Sequence, residues 1–184
     1  MDCGNIKKIK NKKKNIAKAK KIKVFAMDID GVLTDGRIVF CKGEEIKYWN
    51  VKDRIAFFIL NRAGYKTVWI SGRKSREVEE RAGDLKIKGV FLGVKNKLKI
   101  WKLVLNKFKI KREEILYIGD DLVDLPLLKS AGLSAAPADA ADDVRKICDI
   151  VTRSAAGEGV LREITEFVLK AQNKWKNVLN YYVS

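Results

Sequence analysis

Two short clusters of acidic residues carry the strongest chemical signal in the sequence. The first, Asp28-Ile29-Asp30-Gly31, comes directly after the apolar run 22–27. Two carboxylates this close to a buried strand are costly unless a cation lies between them, and Mg²⁺ prefers such oxygen ligands. A carboxylate can also attack phosphorus while a second carboxylate moves the proton. The cluster indicates metal-assisted phosphoryl chemistry; the simpler alternative is an acidic turn closed by glycine.

The second acidic cluster is the segment 119–124, which contains Asp120, Asp121 and Asp124. It also follows an apolar run, Ile115–Ile118, which is typical of a buried strand. Capping of a helix N-terminus accounts for one of these acids but not for all three. The cluster therefore favours a second set of ligands for the same cation.

Two further segments have the residue types that a phosphate group needs. Ser71-Gly72-Arg73 offers a hydroxyl and backbone N–H groups between a strand and a helix. Lys97 follows Asn96 at the start of a predicted helix and could neutralise phosphate charge. Taken singly, the first segment is also compatible with an ordinary helix N-cap, and Lys97 is one lysine among many.

Short strands alternating with helices predict an α/β fold with a doubly wound, mostly parallel sheet. Ligands bind at the carboxyl ends of strands in such sheets, so Asp28, Ser71 and Asp120 should converge at one edge. The alternation in 37–41 and 45–49 predicts a β-hairpin. Apolar spacing from 160 to 182 predicts one long amphipathic helix.

Length and composition favour one domain, residues 22–184, preceded by a basic extension at 1–21. The chain has 184 residues, is 47% hydrophobic and has a net charge of +16. Ten lysines and no acid lie between Lys7 and Lys23, which predicts a solvated extension rather than a nucleic-acid-binding arm because no aromatic residue or arginine is interleaved. The absence of histidine excludes a Ser-His-Asp triad.

The sequence also predicts where the protein acts. It contains no apolar run near the ~20 residues that cross a bilayer, and the basic N-terminus does not have the pattern of a signal peptide. The expectation is a cytoplasmic protein with no membrane partner. Three scattered cysteines, Cys3, Cys41 and Cys148, are expected to be free thiols.

The four segments occur in an order that resembles the haloacid dehalogenase superfamily of phosphatases. The resemblance covers roughly residues 22 to 165 and depends on DxDGVLTDG, Ser71, Lys97 and GDDxxD. It implies that Asp28 is the nucleophile and Asp30 the general acid/base. It also implies that Ser71 and Lys97 hold the transferring phosphoryl group.

The same resemblance implies a Mg²⁺ cofactor. Its ligands would be Asp28, the backbone oxygen of Asp30, and Asp120. Asp121 would be a further ligand and Asp124 a supporting residue. Because 31–70 and 72–96 have no room for a cap domain, something else must limit water at the site.

Within the superfamily, the chain is similar to the 3-deoxy-D-manno-octulosonate 8-phosphate phosphatases. Matching segments include 43–47, 49–51 and 149–153. In that branch a homotetramer supplies the cover, through hairpins that join between subunits. The resemblance implies a phosphorylated sugar acid as substrate, contacted by Asp30, Asn50, Val51, Lys52, Asp53, Arg54, Gly72, Arg73, Arg81 and Lys97.

The sequence departs from this branch where the sugar would be recognised. Arg54 and Ala56 replace family glycines, and Phe58 replaces an arginine. A related nonulosonate phosphate or another sugar phosphate therefore stays open as the substrate. A phosphomutase is disfavoured because such enzymes normally need a cap. A non-enzymatic nucleic-acid-binding module ranks lowest because it leaves the acidic clusters unexplained.

Overall fold

A computed structural model describes residues 8–9 and 11–183 of the chain. The strands are β1 Lys8–Ile9, β2 Val24–Met27, β3 Val39–Cys41, β4 Glu44–Ile46, β5 Lys66–Ile70, β6 Gly89–Phe91, β7 Ile115–Ile118, β8 Leu133–Ala136 and β9 Ile150–Val151. The helices are α1 Lys12–Ala19, α2 Val51–Arg62, α3 Arg76–Asp84, α4 Lys97–Phe108, α5 Leu125–Ser130, α6 Asp142–Ile147, α7 Val160–Ala171 and α8 Trp175–Val183. None of the described helices is long and apolar enough to cross a bilayer.

Seven strands form the main sheet in the order β1-β9-β8-β7-β2-β5-β6. The six strands from β9 to β6 pair in parallel, and β1 pairs antiparallel with β9. Every residue of β2 is buried, as expected for a central strand covered on both faces. Met27 pairs with both Trp69 and Ile118, so three strands end side by side.

Helices cover both faces of this sheet, which confirms the predicted doubly wound α/β fold. One face packs against α1, α2, α3 and α7 around Phe25, Trp69 and Phe167. The other face packs against α4, α5 and α6 around Trp101 and Tyr117. Full burial of one large apolar side chain stabilises the fold by roughly 1.5–3 kcal/mol.

The predicted hairpin is formed by β3 and β4, outside the main sheet. Its two-residue turn has Lys42 at φ 51° and Gly43 at φ 83°, the positive values that a tight hairpin turn requires. After β4 the chain returns to the core through Trp49, which stacks on Trp69 with ring centroids 5.4 Å apart. Between the first acidic cluster and β5 the described chain holds just this hairpin and α2, so no cap is inserted there.

Helix α1 lies inside the predicted basic extension and packs against the domain. Asn15 and Ala19 are buried, and the Lys18 ammonium lies 2.6 Å from the Asp149 carboxylate. The predicted solvated extension therefore does not describe residues 12–19, which form a helix packed against the domain. The division of the chain at residue 21 stays a prediction, and residues 1–7 lie outside the described part.

The single helix predicted for 160–182 is wrong, because the chain breaks after α7. Asn173 has φ 57°, a left-handed conformation that asparagine adopts at lower cost than most residues. Lys174 N donates to Leu169 O, which closes the end of α7 before α8 begins. The apolar pattern continues across the break, and Leu179, Tyr181, Tyr182 and Val183 of α8 are exposed.

Candidate active site

The carboxyl ends of β2, β5 and β7 bring the predicted chemical residues together. Asp28 directly follows β2, Ser71 follows β5, and Asp120 lies two residues after β7. A cleft of about 470 Å³ opens there. It is lined by Asp28, Asp30, Ser71, Gly72, Arg73, Val94, Lys95, Asn96, Lys97, Leu98, Val123 and Pro126.

Asp28 lies at the bottom of this cleft with 7% of its surface exposed. Its Oδ2 is 2.5 Å from Lys97 Nζ, and its Oδ1 accepts a hydrogen bond from Ile29 N at 2.7 Å. Burial and the nearby Asp124 carboxylate raise the pKa of Asp28 to about 6, although Lys97 opposes this rise. At neutral pH the group is still an anion, as a nucleophilic carboxylate must be.

Lys97 is held between two buried carboxylates. It is the first residue of α4, which Asn96 caps by accepting from Leu98 N at 3.1 Å. Lys97 Nζ also donates to Asp124 Oδ1 at 2.7 Å. Burial lowers the pKa of Lys97, but Asp28 and Asp124 outweigh it and the pKa lies above the ordinary value. The ammonium is therefore charged and fixed beside Asp28.

Asp124 is fully buried, and its oxygens are already engaged. Oδ1 accepts from Lys97 and from the Tyr117 hydroxyl at 2.7 Å, and Oδ2 accepts from Asp120 N at 3.1 Å. These bonds fix Lys97 on one side and the loop after β7 on the other. The geometry gives Asp124 a supporting position.

The carboxylates of Asp28, Asp120 and Asp124 each place an oxygen within 4.8 Å of the others. Within residues 11–183 the Asp120 carboxylate accepts no hydrogen bond, so its lone pairs are free. Burial and the surrounding carboxylates of Asp124, Asp28 and Asp121 raise the pKa of Asp120 to about 8. An excess of buried negative charge with free oxygens fits a hard divalent cation.

Asp121, also predicted as a metal ligand, lies outside this group of carboxylates. Its side chain is exposed, and Oδ1 accepts from Leu122 N at 2.7 Å. It thus caps the short helical turn Leu122–Asp124. A capping role explains the second acid of the cluster without a metal bond.

Gly31 lets the two acidic clusters approach each other. Its φ is +81°, and a Cβ at this position would lie 2.1 Å from Asp120 Oδ2. Both the backbone conformation and the contact with Asp120 therefore require glycine. Gly31 therefore allows both the turn of the first cluster and the close approach of Asp120 from the second cluster.

Asp30 lies at the side of the cleft beneath the hairpin. Its Oδ1 is 2.5 Å from Lys47 Nζ and 3.3 Å from the Thr34 hydroxyl. Arg73 Nε is 3.9 Å from the other oxygen, Oδ2. Sequence reasoning did not select Lys47 beyond its place in the matching segment 43–47, because no local pattern shows that a hairpin lysine points inward.

The loop after β5 presents polar groups to the same cleft. The Ser71 side chain is buried, and its Oγ accepts from Arg73 N at 3.1 Å. Gly72 has open space at its Cα, with the nearest atom, Val94 O, 3.8 Å from a built Cβ. Arg73 extends from this loop to Glu45, with Nη2 3.0 Å from Oε2. The predicted phosphate-binding loop thus adjoins the hairpin.

The other predicted substrate residues do not line this cleft. Asn50 caps α2 and donates to Gly157 O at 3.0 Å, while Val51 and Lys52 are exposed on the first turn. The Arg54 guanidinium lies over the Phe58 ring at 5.0 Å. Arg81 lies over the Trp49 ring at 5.7 Å.

Asp53 is a correction to the predicted substrate contacts. It is 3% exposed, and its Oδ1 accepts from Arg162 N at 2.9 Å. Burial raises the pKa of Asp53 to about 7, although backbone N–H groups at the start of α7 oppose the rise. The carboxyl therefore joins α2 to α7 inside the protein and is not open to a ligand.

Comparison with known proteins agrees with this geometry. A family described as haloacid dehalogenase-like hydrolase matches residues 90–164. The chain is 40% identical over 160 residues to the 3-deoxy-D-manno-octulosonate 8-phosphate phosphatase KdsC of Escherichia coli, covering 86% of this chain and 85% of the relative.

Solved structures give the same result. A probable YrbI family phosphatase from Pseudomonas syringae superposes with a TM-score of 0.90 and 39% identity, covering 94% of this chain and 98% of that one. The 3-deoxy-D-manno-octulosonate 8-phosphate phosphatase of Moraxella catarrhalis, solved with a magnesium ion, a phosphate ion and KDO, superposes with a TM-score of 0.88 and 35% identity, covering 91% and 97%. With this identity over most of both chains, the protein belongs to the haloacid dehalogenase-like hydrolases and, within them, to the KdsC family.

Proposed function

We propose that the protein is a Mg²⁺-dependent phosphatase that hydrolyses 3-deoxy-D-manno-octulosonate 8-phosphate to the free sugar acid and phosphate. The observation that carries this proposal is the buried pair of Asp28 and Lys97 beside the free carboxylate of Asp120. An anionic nucleophile, a fixed cation and a cation-binding cluster are the parts that phosphoryl transfer needs. The 40% identity to KdsC supports the substrate.

In the first step a carboxylate oxygen of Asp28 attacks phosphorus. The Asp28 O–P bond forms as the bond from phosphorus to the sugar oxygen breaks, and Asp30 gives its proton to that leaving oxygen. Lys97 and the Ser71 hydroxyl hold the equatorial phosphoryl oxygens, together with backbone N–H groups at Gly72. Their fixed positions lower the cost of the charge that develops.

In the second step water attacks the phosphorus of the aspartyl phosphate. Asp30, now a carboxylate, takes a proton from this water, the Asp28–phosphorus bond breaks, and inorganic phosphate leaves. Asp28 returns as a carboxylate and Asp30 as the acid, so the cycle balances. The two carboxyl groups have separate positions, with Lys97 on Asp28 and Lys47 on Asp30.

The Mg²⁺ would be held by Asp28, Asp120 and the backbone oxygen of Asp30, and when bound it would neutralise phosphoryl charge. The free oxygens of Asp120 and the raised pKa of that group support this placement. Asp124 would support the ligands by holding the loop after β7. Asp121 would contribute indirectly, by capping the helical turn in the same loop.

We extend the proposal to a homotetramer that acts in the cytoplasm. The hairpin exposes apolar side chains on both strands and beyond them: Ile38, Val39, Phe40, Ile46 and Tyr48. Exposed apolar side chains gathered on one hairpin are typical of an interface. Sugar contacts by Asn50, Val51, Lys52, Arg54 and Arg81 would then be completed by a neighbouring subunit, since these residues do not line the cleft around Asp28.

A related sugar-acid phosphate is the second candidate substrate. The Arg54–Phe58 stack occupies positions on α2 where the family has a glycine and an arginine, so the positive charge moves from residue 58 to residue 54 and the local shape changes. A nonulosonate phosphate differs from the octulosonate in the part of the sugar that this region would recognise. The phosphoryl chemistry on Asp28 is the same for both.

The test is phosphate release from 3-deoxy-D-manno-octulosonate 8-phosphate, with and without Mg²⁺, beside a panel of nonulosonate and simple sugar phosphates. We expect fast, Mg²⁺-dependent release from the octulosonate, and none from an Asp28→Asn variant. Asp35→Asn, an exposed acid in the same segment, is the matched control and should retain activity. Release from other sugar phosphates alone would replace the substrate, and full activity of Asp28→Asn would remove the mechanism.

A further inference from the structure

Lys47 is the most unusual lysine in the described part of the chain. Its side chain is 0% exposed, although its neighbours in the hairpin, Ile46 and Tyr48, are both exposed. Lysine is almost never fully buried unless it is paired. The hairpin fold alone does not require this side chain to point inward, so the contacts of Lys47 must explain its burial.

The partners of Lys47 are two carboxylates. Nζ lies 2.5 Å from Asp30 Oδ1 and 2.7 Å from Glu45 Oε1. Burial lowers the pKa of Lys47, but hydrogen bonds and charge from Asp30 and Glu45 outweigh it and the pKa lies above its ordinary value. Glu45 in turn pairs with Arg73 at 3.0 Å. The Asp30 carboxyl is thereby tied to the hairpin by a charged network.

The two oxygens of Asp30 have different surroundings. Oδ1 accepts from the Lys47 ammonium at 2.5 Å and from the Thr34 hydroxyl at 3.3 Å. Oδ2 has Arg73 Nε at 3.9 Å, which is beyond hydrogen-bond distance. An oxygen that already accepts from an ammonium is a poor place for a proton. Oδ2 is therefore the oxygen of Asp30 that accepts no hydrogen bond from the described residues.

We infer that Lys47 is a positioning residue for proton transfer: by holding Oδ1 of Asp30, it selects Oδ2 as the oxygen that gives the proton to the leaving group and later takes one from water. This inference deepens the proposed function and rests on it. Lys47 exchanges no proton itself and touches no substrate atom. It acts through Asp30, and it makes the hairpin part of the catalytic machinery.

The leaving group separates this role from a purely structural one. A sugar alkoxide must be protonated as it leaves, whereas p-nitrophenolate is stable enough to leave without a proton. The specificity constant kcat/KM reports the steps up to release of the alcohol or phenol, so it isolates the attack by Asp28. Loss of a positioned acid should lower kcat/KM for the sugar phosphate but leave kcat/KM for p-nitrophenyl phosphate nearly unchanged.

The experiment compares kcat/KM of the wild-type chain and Lys47→Met on 3-deoxy-D-manno-octulosonate 8-phosphate and on p-nitrophenyl phosphate. We expect a loss of ~10- to 100-fold on the sugar phosphate, a part of the roughly 10²–10⁴-fold that a positioned acid contributes. On p-nitrophenyl phosphate we expect a change of about threefold or less. In an Asp30→Asn background, Lys47→Met should cause no further loss, since its effect passes through Asp30.

Two further variants control for folding. Lys18→Met breaks a part-buried ion pair with Asp149 on another part of the domain. It should change kcat/KM on the two esters by the same factor. If Lys47→Met does not fold, Lys47→Gln keeps a donor for Asp30 without the charge and should give a smaller loss with the same discrimination. Circular dichroism melting of each variant reports the folding.

Two results would overturn the inference while leaving the proposed function in place. One is an equal loss of kcat/KM on both esters in a folded Lys47 variant, while the wild-type chain is active. The other is that Lys47→Met lowers kcat/KM by the same factor in the Asp30→Asn background as in the wild type. A wild-type chain that hydrolyses neither ester would instead overturn the proposed function, and the inference with it.

Discussion

Lys97 Nζ lies 2.5 Å from Asp28 Oδ2, and both side chains are almost completely enclosed. This contact joins the start of α4 to the end of β2 at the bottom of the cleft. A buried ion pair is weak support for stability, because desolvation offsets much of the attraction. Its position therefore indicates a chemical purpose, and it leads to the first prediction.

Replacing Lys97 should remove most of the phosphatase activity. Lys97→Met leaves the carboxylates of Asp28 and Asp124 without their shared cation and removes a donor to the phosphoryl group. We expect kcat to fall by about 10²–10³-fold, the range for one electrostatic donor. Lys99→Met, an exposed lysine on the same helix, is the control and should retain activity. A Lys97→Met variant with normal kcat would contradict the role of this pair.

Mg²⁺ should stabilise the folded chain through Asp120. A ligand that binds the native state at 100 times its Kd adds about 2.7 kcal/mol to the free energy of unfolding. We expect the thermal midpoint to rise with MgCl₂ but not with NaCl of equal ionic strength. Asp120→Asn should lose this rise and, without Mg²⁺, should be at least as stable as the wild type because it relieves repulsion among buried carboxylates. An unchanged response to Mg²⁺ in Asp120→Asn would place the cation elsewhere.

Asp53 should make stability fall as the pH rises from about 4 to about 7. Burial raises the pKa of its carboxyl from 3.8 to about 7, so between these values the native state binds more protons than the unfolded state. The free energy of unfolding then decreases with increasing pH across this window, by up to about 4 kcal/mol. Asp53→Asn should reduce this slope and be relatively more stable at pH 8 than at pH 4. Urea unfolding of both proteins from pH 4 to 8 measures this difference. If the free energy of unfolding has the same pH dependence in the wild type and in Asp53→Asn, Asp53 is ionised throughout this range as an ordinary aspartate is.

The exposed apolar surface of the hairpin should control assembly. Phe40 is 67% exposed on β3, so Phe40→Asp places a charge in the centre of the proposed subunit contact. We expect the molar mass from light scattering to fall from four times the 20.9 kDa chain mass to smaller species. Leu103→Asp changes another exposed apolar residue, 53% exposed on α4, and should leave the mass unchanged. A wild-type chain that is already monomeric would contradict the tetramer.

Much of the site was predictable because its signals are local in the sequence. An apolar run that ends in acids marks a buried strand and its carboxyl end, and this was enough to place Asp28 and Asp120 at one edge. The same reasoning located Ser71, because parallel strands end together. The position of Lys97 at the start of α4 was also predicted, from Asn96 and the apolar spacing that follows.

The remaining features depend on contacts between distant segments. By sequence, Lys47 is a hairpin lysine and Asp53 is an acid in the first turn of a helix, and both would be expected at the surface. In the structure both are buried, because Lys47 pairs with Asp30 and Asp53 accepts from Arg162 N. The end of α7 at Asn173 was also missed, because the apolar period continues across a break that one left-handed residue produces. Spacing alone does not contain this information.

Gly31 restricts how the protein can vary. Its backbone φ of +81° disfavours every residue with a side chain, and a Cβ would lie 2.1 Å from Asp120 Oδ2, so even a methyl group would displace that carboxylate. Relieving one restriction leaves the other, so a replacement of Gly31 costs both backbone strain and a shift of the Asp120 carboxylate. In a library randomised at this position, selection for turnover should enrich glycine codons over those of every other residue.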